Sequence, residues 1–549
     1  MKRPPAVWFV VPAACAIALA AGAATDDTDG GSAVPDDTTL EAAGAVIGKI
    51  EIDAGPIFDT DDPKENKAVF RAANKLHVTT HEGVIRRQLS FAEGDPYSRR
   101  VLDESERHLR HNGYLYDAKI RPVHYDGHAV DVVVTTRDVW TLRPGAGFGR
   151  SGGVNRYHFG LHDANFLGFG KDVEIEYVSG IDRSGTQLSY LDPALAHTHT
   201  RFEVSYADNS DGSWAVLGVD RPFWRIRERW STGVHGEAGE RVDPLYALGA
   251  VTSQFREQRT FVEGYVGRAV STSAQRAIRI LGGATFDKSI FDPLEEPGAT
   301  TVLPDDRTLA YPWVGVEVVH DGYVKAKDMD KLGRTEDLNL ARDFRARLGF
   351  VSPTFGADRT AAIGSLSWTA GFSPGASQIV TLSAGASGRY ASTFGLEDGL
   401  VQGAMRYYKR EGDRRLFVIA LTGNLADNLD ADHQVLLGGD NGLRGYPLRY
   451  ATGERSMLLT VEQRFFHDRE YFHLFRLGAA VYADVGKAWS EAPGISNHLG
   501  VLKDVGIGLR VGQTRSAHAN VVRIDLAMPL DDLSGKLSPQ FLISTGETF

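Results

Sequence analysis

From about residue 140 to the end of the chain, short segments alternate apolar and polar positions. Val173, Ile175 and Tyr177 alternate with Asp172, Glu174 and Glu176. Val505, Ile507, Leu509 and Val511 alternate with Gly506, Gly508 and Arg510, and Val522, Ile524, Leu526 and Met528 with Arg523, Asp525 and Ala527. A period of two puts successive side chains on opposite faces of a strand. Clusters of Gly, Asp, Pro and Ser separate the segments and read as turns. Counted this way, about twenty segments qualify as strands. One face of each suits lipid; the other carries charge and glycine. A soluble barrel or sandwich would show the same period with its apolar face turned inward. Segment length favours a membrane-crossing barrel, because a tilted strand needs about ten residues to cross a bilayer.

The chain before residue 140 has a different rhythm. Val46-Ile-Gly-Lys-Ile-Glu-Ile52 alternates as a strand. His81 to Phe91 places Val84, Ile85 and Leu89 at helical spacing, and Tyr97 to His111 repeats this with Val101, Leu102 and Leu109 over a charged face of Asp103, Glu104, Glu106 and Arg107. Asn112-Gly113 is expected to close that helix through a left-handed glycine. Tyr114 to Tyr125 and Ala129 to Thr136 form a hairpin across Asp126-Gly127. The predicted order is β-α-α-β-β over residues 45–138, with an insertion at 56–78. Residues 25–44, rich in Asp, Thr, Gly and Ala and without period, read as a disordered leader. Residues 1–24 read as a signal peptide: Lys2 and Arg3 precede apolar Ala6 to Ala20, and small-residue cleavage sites follow at Ala18-Leu-Ala20 and Ala21-Gly-Ala23.

Composition narrows the choices. The net charge of −11 argues against a nucleic-acid partner. No stretch after residue 24 approaches the roughly eighteen consecutive apolar residues of a transmembrane helix, so only a closed barrel would satisfy the backbone within a bilayer. The one cysteine, Cys15, lies in the expected signal peptide. The exported chain would therefore be free of thiols and disulfides, which excludes a disulfide scaffold.

The most informative segment is Leu437-Gly-Gly-Asp-Asn-Gly-Leu-Arg-Gly-Tyr446, a non-periodic stretch in which glycines flank one arginine. A guanidinium is always charged and seeks a bidentate carboxylate. Two lie in the strands that follow. Glu462 shares a face with Thr460 and Arg464, opposite Leu459 and Val461; Asp484 shares one with Tyr482 and Gly486, opposite Val481 and Val485. This Arg-Gly-aromatic loop, followed by a strand carrying Asp-x-Gly, resembles the BamA/TamA superfamily of outer-membrane barrels. Residues 45–138 look like a polypeptide-transport-associated (POTRA) domain, most closely from Glu93-Gly-Asp95 through Leu109-Arg-His-Asn-Gly-Tyr114.

The resemblance implies an all-β antiparallel transmembrane barrel over residues 140–549, of roughly sixteen strands, an even number usual for such barrels, against up to about twenty by the segment count. It implies that Gly442, Leu443, Arg444, Gly445 and Tyr446 tuck into the lumen, where Glu462 or Asp484 pins Arg444 without catalytic role. Asp163-Ala-Asn-Phe-Leu-Gly-Phe-Gly170 is similar to an early-barrel motif, and the terminal Phe549 to an outer-membrane sorting signal. The barrel would sit in the lipid bilayer of a Gram-negative outer membrane as a surface-antigen-like protein, with the POTRA domain in the periplasm. Its partners would be unfolded or nascent client polypeptides, received on the second POTRA helix and the sheet edge, and a periplasmic or inner-membrane protein. Its first and last strands, Leu142 to Ser151 and Gln540 to Phe549, would pair weakly enough to part. The function implied is insertion or translocation of polypeptides. The alternatives are a two-partner-type secretion transporter for one cognate protein and a passive pore.

No complete catalytic, cofactor or metal set emerges, so no enzyme activity and no cofactor is expected. Gly149-Arg-Ser-Gly-Gly153 fits G-x-S-x-G without the strand-to-helix elbow that a nucleophile needs, and reads as a hairpin turn. Gly147-Phe-Gly-Arg-Ser-Gly152 fits a dinucleotide fingerprint with no helix behind it. His197 and His199 lack a third ligand for a metal.

Overall fold

The computed structural model describes residues 34–294, 303–392, 395–490, 499–517, 521–531 and 538–545. The expected signal peptide and Phe549 lie outside the described residues.

The N-terminal unit contains α1 (Asp37–Ala42), β1 (Val46–Gly55), α2 (Ala68–Leu76), α3 (Glu82–Arg87), α4 (Arg99–His111), β2 (Leu115–Tyr125) and β3 (Ala129–Asp138). Its sheet runs β1-β3-β2, with β1 parallel and β2 antiparallel to the central β3. Apolar residues of both layers, among them Ile47, Ile85, Leu102, Leu109, Ile120, Val132 and Val134, form one core.

Three expectations need correction. The disordered leader stops short of residue 44, because Asp36 caps α1 by accepting from the Thr39 N–H at 2.8 Å and Leu40 is fully buried. Six residues are too few to show a helical period. The insertion at 56–78 also carries a helix, α2. And α4 ends without a left-handed glycine: Asn112 is extended, and its side-chain amide donates to the His108 and Leu109 carbonyls, closing the last turn.

Twenty strands then close into an antiparallel barrel, from Leu142–Ser151 to Gln540–Thr545. The resemblance's sixteen is thus too few and the segment count is right. Ala250–Thr272, Arg276–Pro293 and Arg307–His320 are all strands of the barrel wall. Each of these carries its own outward apolar row, including Val262 and Val266, Ile280, and Val314. The inner face carries ion pairs such as Arg259–Asp287 at 3.0 Å and Arg279–Glu317 at 3.5 Å. No helix among the described residues is long and apolar enough to cross a membrane.

Two small hairpins stand off the wall. Val435–Leu437 with Ala451–Gly453 bracket the Arg444 loop. Tyr323–Lys327 with Thr335–Asn339 leave the wall at the end where the N-terminal domain sits. There the domain and barrel interlock: the His81 N–H donates to the Gly168 carbonyl at 3.0 Å, Asn165 to Thr80 Oγ1 at 2.8 Å, and Arg515 pairs with Glu65 at 2.7 Å. The Asp163–Gly170 motif is therefore the barrel turn on which the domain rests.

Candidate functional site: the lumen loop and the strand seam

Period two places Thr460, Glu462 and Arg464 inward on Arg455–Tyr471, and Tyr482 and Asp484 inward on the neighbouring Phe475–Trp489. The 438–448 loop folds back over this wall. Arg444 donates from Nε to Asp484 Oδ2 at 2.8 Å and from Nη2 to Asp484 Oδ1 at 3.0 Å, while Nη1 reaches Glu462 Oε2 at 3.0 Å. Its guanidinium lies 3.2 Å from the Tyr482 ring centre. Both acids are fully buried. They are satisfied from other sides as well: Thr460 Oγ1 donates to Asp484 at 2.7 Å, and Arg464 Nε to Glu462 at 2.8 Å. A guanidinium with two carboxylates, each further hydrogen-bonded, is the geometry in which a buried charge cluster holds together.

The loop motif is fixed by packing on either side of the arginine. Leu443 and Tyr446 are fully buried among Leu437, Leu458, Ala488 and Leu502, and the Tyr446 hydroxyl donates to the Lys503 carbonyl at 2.9 Å. Gly445 lies so close to the wall that an added Cβ would stand 2.6 Å from Asp504 Cβ. Gly442, at φ +134°, adopts a backbone conformation that L side chains rarely enter.

The same loop touches the first hairpin of the barrel. A Cβ on Gly439 would lie 2.7 Å from the backbone of Gly152, and one on Gly152 would lie 2.2 Å from the Leu448 nitrogen. The G-x-S-x-G look-alike is thus a hairpin tip that receives the loop. Arg464, Arg510 and Asp525 extend the cluster and were not singled out in the sequence: Arg510 pairs with Asp525 at 2.7 Å and approaches Glu462 at 3.6 Å. Their signal was present, since each is a charged residue at an inward position of an alternating strand.

Beside the loop lies the seam. Last strand and first are paired at one position only among the described residues, Ile543 opposite Arg150. The first strand is ill suited to pairing. Pro144 lacks a donor, and Gly145, Gly147 and Gly149 leave its inner face bare. The His158 ring lies over Gly147, 1.6 Å from where a Cβ would be. A cavity of about 600 Å³ opens between seam and loop, lined by Gly149, His158, Asn441, Arg444, Asp525 and Leu542 among others.

The second POTRA helix and the sheet edge are not open as expected. On α4, Arg107 pairs with Asp321 at 2.9 Å, Arg110 with Asp337 at 2.8 Å, and Glu106 with Lys325 at 2.8 Å, all from the Tyr323–Asn339 hairpin or its root. On the β2 edge, the Ala118 and Ile120 carbonyls accept from Arg110 and Arg99, the Ile120 N–H donates to Glu106, and Arg334 of the hairpin takes the Leu115 carbonyl. The hairpin tip continues into the lumen, where Arg464 donates to the Met329 carbonyl and Met329 packs with Tyr408, Leu416 and Val418.

Of the remaining histidines, His199 stacks on Trp224 at 3.7 Å. Among the described residues, Asp398, Asp430 and His433 come close enough to share a cation. Arg389 and Arg307 already occupy that trio, at 2.6 and 3.3 Å from Asp430.

A family model described as "POTRA: Surface antigen variable number repeat" matches residues 77–137. Among solved structures, the chain is similar to BamA from Haemophilus ducreyi lacking POTRA domains 1-3, at 12% identity and TM-score 0.41 over 91% of this chain and 85% of that one. It is similar to CdiB from Acinetobacter baumannii at 12% and 0.46, over 92% and 74%, and to CdiB from Escherichia coli at 13% and 0.45, over 92% and 75%.

Proposed function

We propose that this chain, with the BamA/TamA-type build of a POTRA domain joined to an outer-membrane β-barrel, passes extended polypeptides into or across the outer membrane at its strand seam. The observation that carries the reading is the seam itself, held at one paired position among the described residues and facing a cavity walled by the Arg444 loop. A strand edge with unpaired N–H and C=O groups is a template for an incoming strand. Within a bilayer those groups find no water, so a client strand that pairs with them removes a cost of several kcal/mol per group. The loop bridges the first hairpin and the wall two to four strands from the seam, which keeps the cavity open beside that edge. The POTRA domain at the base, on the periplasmic side in this reading, covers the lumen mouth together with the Tyr323–Asn339 hairpin. A passive pore would not be sealed in this way.

The test is a reversible lock. Arg150→Cys with Ile543→Cys joins Cα partners in antiparallel register, a separation within reach of a disulfide. The locked, reconstituted barrel is expected to stop inserting or exporting an unfolded client, and reductant to restore the activity. Full activity in the oxidised state would refute the seam mechanism. Activity toward one secreted protein and no barrel clients would identify the secretion-type alternative.

A further inference from the structure

The α2 helix has three faces, and only one of them is used by the fold. Phe70 is buried, stacked on Phe58 at 4.2 Å and packed in a cluster that reaches Trp140 and Leu474 of the barrel base. Asn74 ties the same face down by bonding both the N–H and the carbonyl of Phe58, at 3.1 and 2.7 Å. A second face presents Val69, Ala72 and Leu76 to the outside at i, i+3, i+7; Val69 is 66% and Leu76 76% exposed. The third presents Lys67, Arg71 and Lys75 at i, i+4, i+8, all exposed. The acids of the insertion lie elsewhere. Asp59, Asp61 and Asp62 precede the helix, and Glu65 is buried, paired with Arg137 and Arg515. The POTRA family match begins at residue 77, after this helix.

The apolar face does not stand alone. Phe472, 80% exposed, sits beside Leu474 on the turn that joins Arg455–Tyr471 to Phe475–Trp489, with three strands between it and the seam. On the other side, Val78 lies against Gly168, and Phe166, Leu167 and Phe169 of that turn are all exposed. Phe70 meets the His473 ring, next to Phe472, at 5.9 Å, so exposed Phe472, Val69, Leu76, Val78 and Leu167 gather where the domain meets the barrel base. An amphipathic helix with a basic flank, held level with the base of a membrane barrel, has the composition of a segment that lies in the lipid interface.

We infer that α2 and its two flanking barrel turns form a foot that rests in the bilayer leaflet beneath the seam, its apolar face among acyl chains and Lys67, Arg71 and Lys75 on anionic phospholipid headgroups. The inference rests on the barrel's residence in a membrane, and goes beyond the client-handling reading. Such a foot anchors the POTRA domain beside the strands that part, and holds the local bilayer surface to the base of the seam.

The experiment uses the full chain with Cys15→Ser and single cysteines carrying an environment-sensitive NBD label, in vesicles of phosphatidylethanolamine and phosphatidylglycerol doped with doxyl-labelled phosphatidylcholine. Three sites are compared: Leu76→Cys on the foot, Val314→Cys on the barrel wall and Val123→Cys on the exposed face of β2. Quenching by doxyl lipid is expected at positions 76 and 314 and absent at 123. Lys67→Gln, Arg71→Gln and Lys75→Gln together should reduce quenching at 76 and leave 314 unchanged. A label at 314 that is quenched while 76 is not overturns the foot and leaves the membrane barrel standing. No quenching at 314 overturns both. A label at 76 that is shielded from aqueous iodide yet unreached by doxyl lipid marks a second copy of the chain on this face, and also overturns the proposal.

Discussion

Halfway round the strand order from the seam, Arg307–His320 meets Asp343–Val351 in continuous register from Trp313 opposite Gly349 to Val318 opposite Phe344. Further along the same wall, the pair Trp230–Ala247 and Ala250–Thr272 is registered along nearly its whole length, from Trp230 opposite Arg268 to Ala247 opposite Ala250. At the seam one position is paired among the described residues. The two regions also differ in side chains. The back wall has Val314, Leu348 and Phe350 outward and Trp313 and Arg347 inward, whereas the first strand is Leu-Arg-Pro-Gly-Ala-Gly-Phe-Gly-Arg-Ser. Sheet stability is built from cross-strand side-chain pairs as well as from backbone bonds, and the seam is poor in both. Closure of the barrel is thus uneven, and the weak point lies next to a loop that is nailed to the wall by buried charge.

The largest expected effect separates the two junctions directly. A disulfide from Val314→Cys and Leu348→Cys, which are also Cα partners, should leave client handling intact, while the Arg150→Cys and Ile543→Cys lock abolishes it. Equal loss in both would mean that barrel flexibility in general is needed, and the contrast between wall and seam would fall. Next in size is the hairpin at the barrel base. Replacing Tyr323–Asn339 by a short Gly-Ser linker removes Met329 and Asp330 from the lumen, and takes Asp337 from Arg110 and Lys325 from Glu106 on α4. Single-channel conductance in planar bilayers should rise sharply; unchanged conductance would show that the lumen is sealed elsewhere.

A smaller effect is expected from Arg444→Ala. Glu462 keeps Arg464, and Asp484 keeps Thr460, so the loss is about 1–3 kcal/mol rather than the full cost of two orphaned charges. Limited proteolysis should show the 438–448 loop cleaved faster, with the barrel still heat-modifiable on gels. Arg444→Lys should rescue only part, because an ammonium cannot form the bidentate contact. The smallest effect concerns pH. Burial holds His108 down at about 4, against an ordinary value of 6.5, with Arg107, His111 and His199 adding to the shift and Trp224 of the barrel close to the ring. A folded value below the unfolded one means that the stabilising contribution is complete above 6.5 and is lost as pH falls toward 4. Protection factors of α4 amides, which correct for the intrinsic pH dependence of exchange, should therefore fall over that window, and His108→Gln should flatten the change; an equal slope in both proteins would place the titration elsewhere.

The sequence discloses regular features better than meetings between distant segments. Alternation in Val505–Val511 and Val522–Met528 marks wall strands because each strand reports its two environments along its own length. Counting those segments came closer to twenty than the family resemblance did. Arg444, Glu462 and Asp484 were legible because a lone arginine among glycines demands a carboxylate and period two names the inward ones. By contrast, α1 is six residues long, below the length at which a period can be read. The hairpin that covers α4 is spelled by ordinary residues: Asp321, Lys325, Asp337 and Arg334 acquire meaning only when the barrel brings them under Arg107, Glu106, Arg110 and β2. Contacts between a domain and a loop more than two hundred residues away leave no local pattern.

The bare inner face of the first strand has one more consequence. Between Arg143 and Ser151, Gly145, Gly147 and Gly149 present peptide groups and no side chains toward the lumen, and the His158 ring, not a neighbour in sequence, lies over the middle glycine. A surface made of amides alone cannot tell one residue from another. It measures only whether a segment is extended and how its amides are spaced. Whatever lies down along that strand is therefore judged by its conformation, and any preference for particular residues has to be imposed at a different address in the molecule.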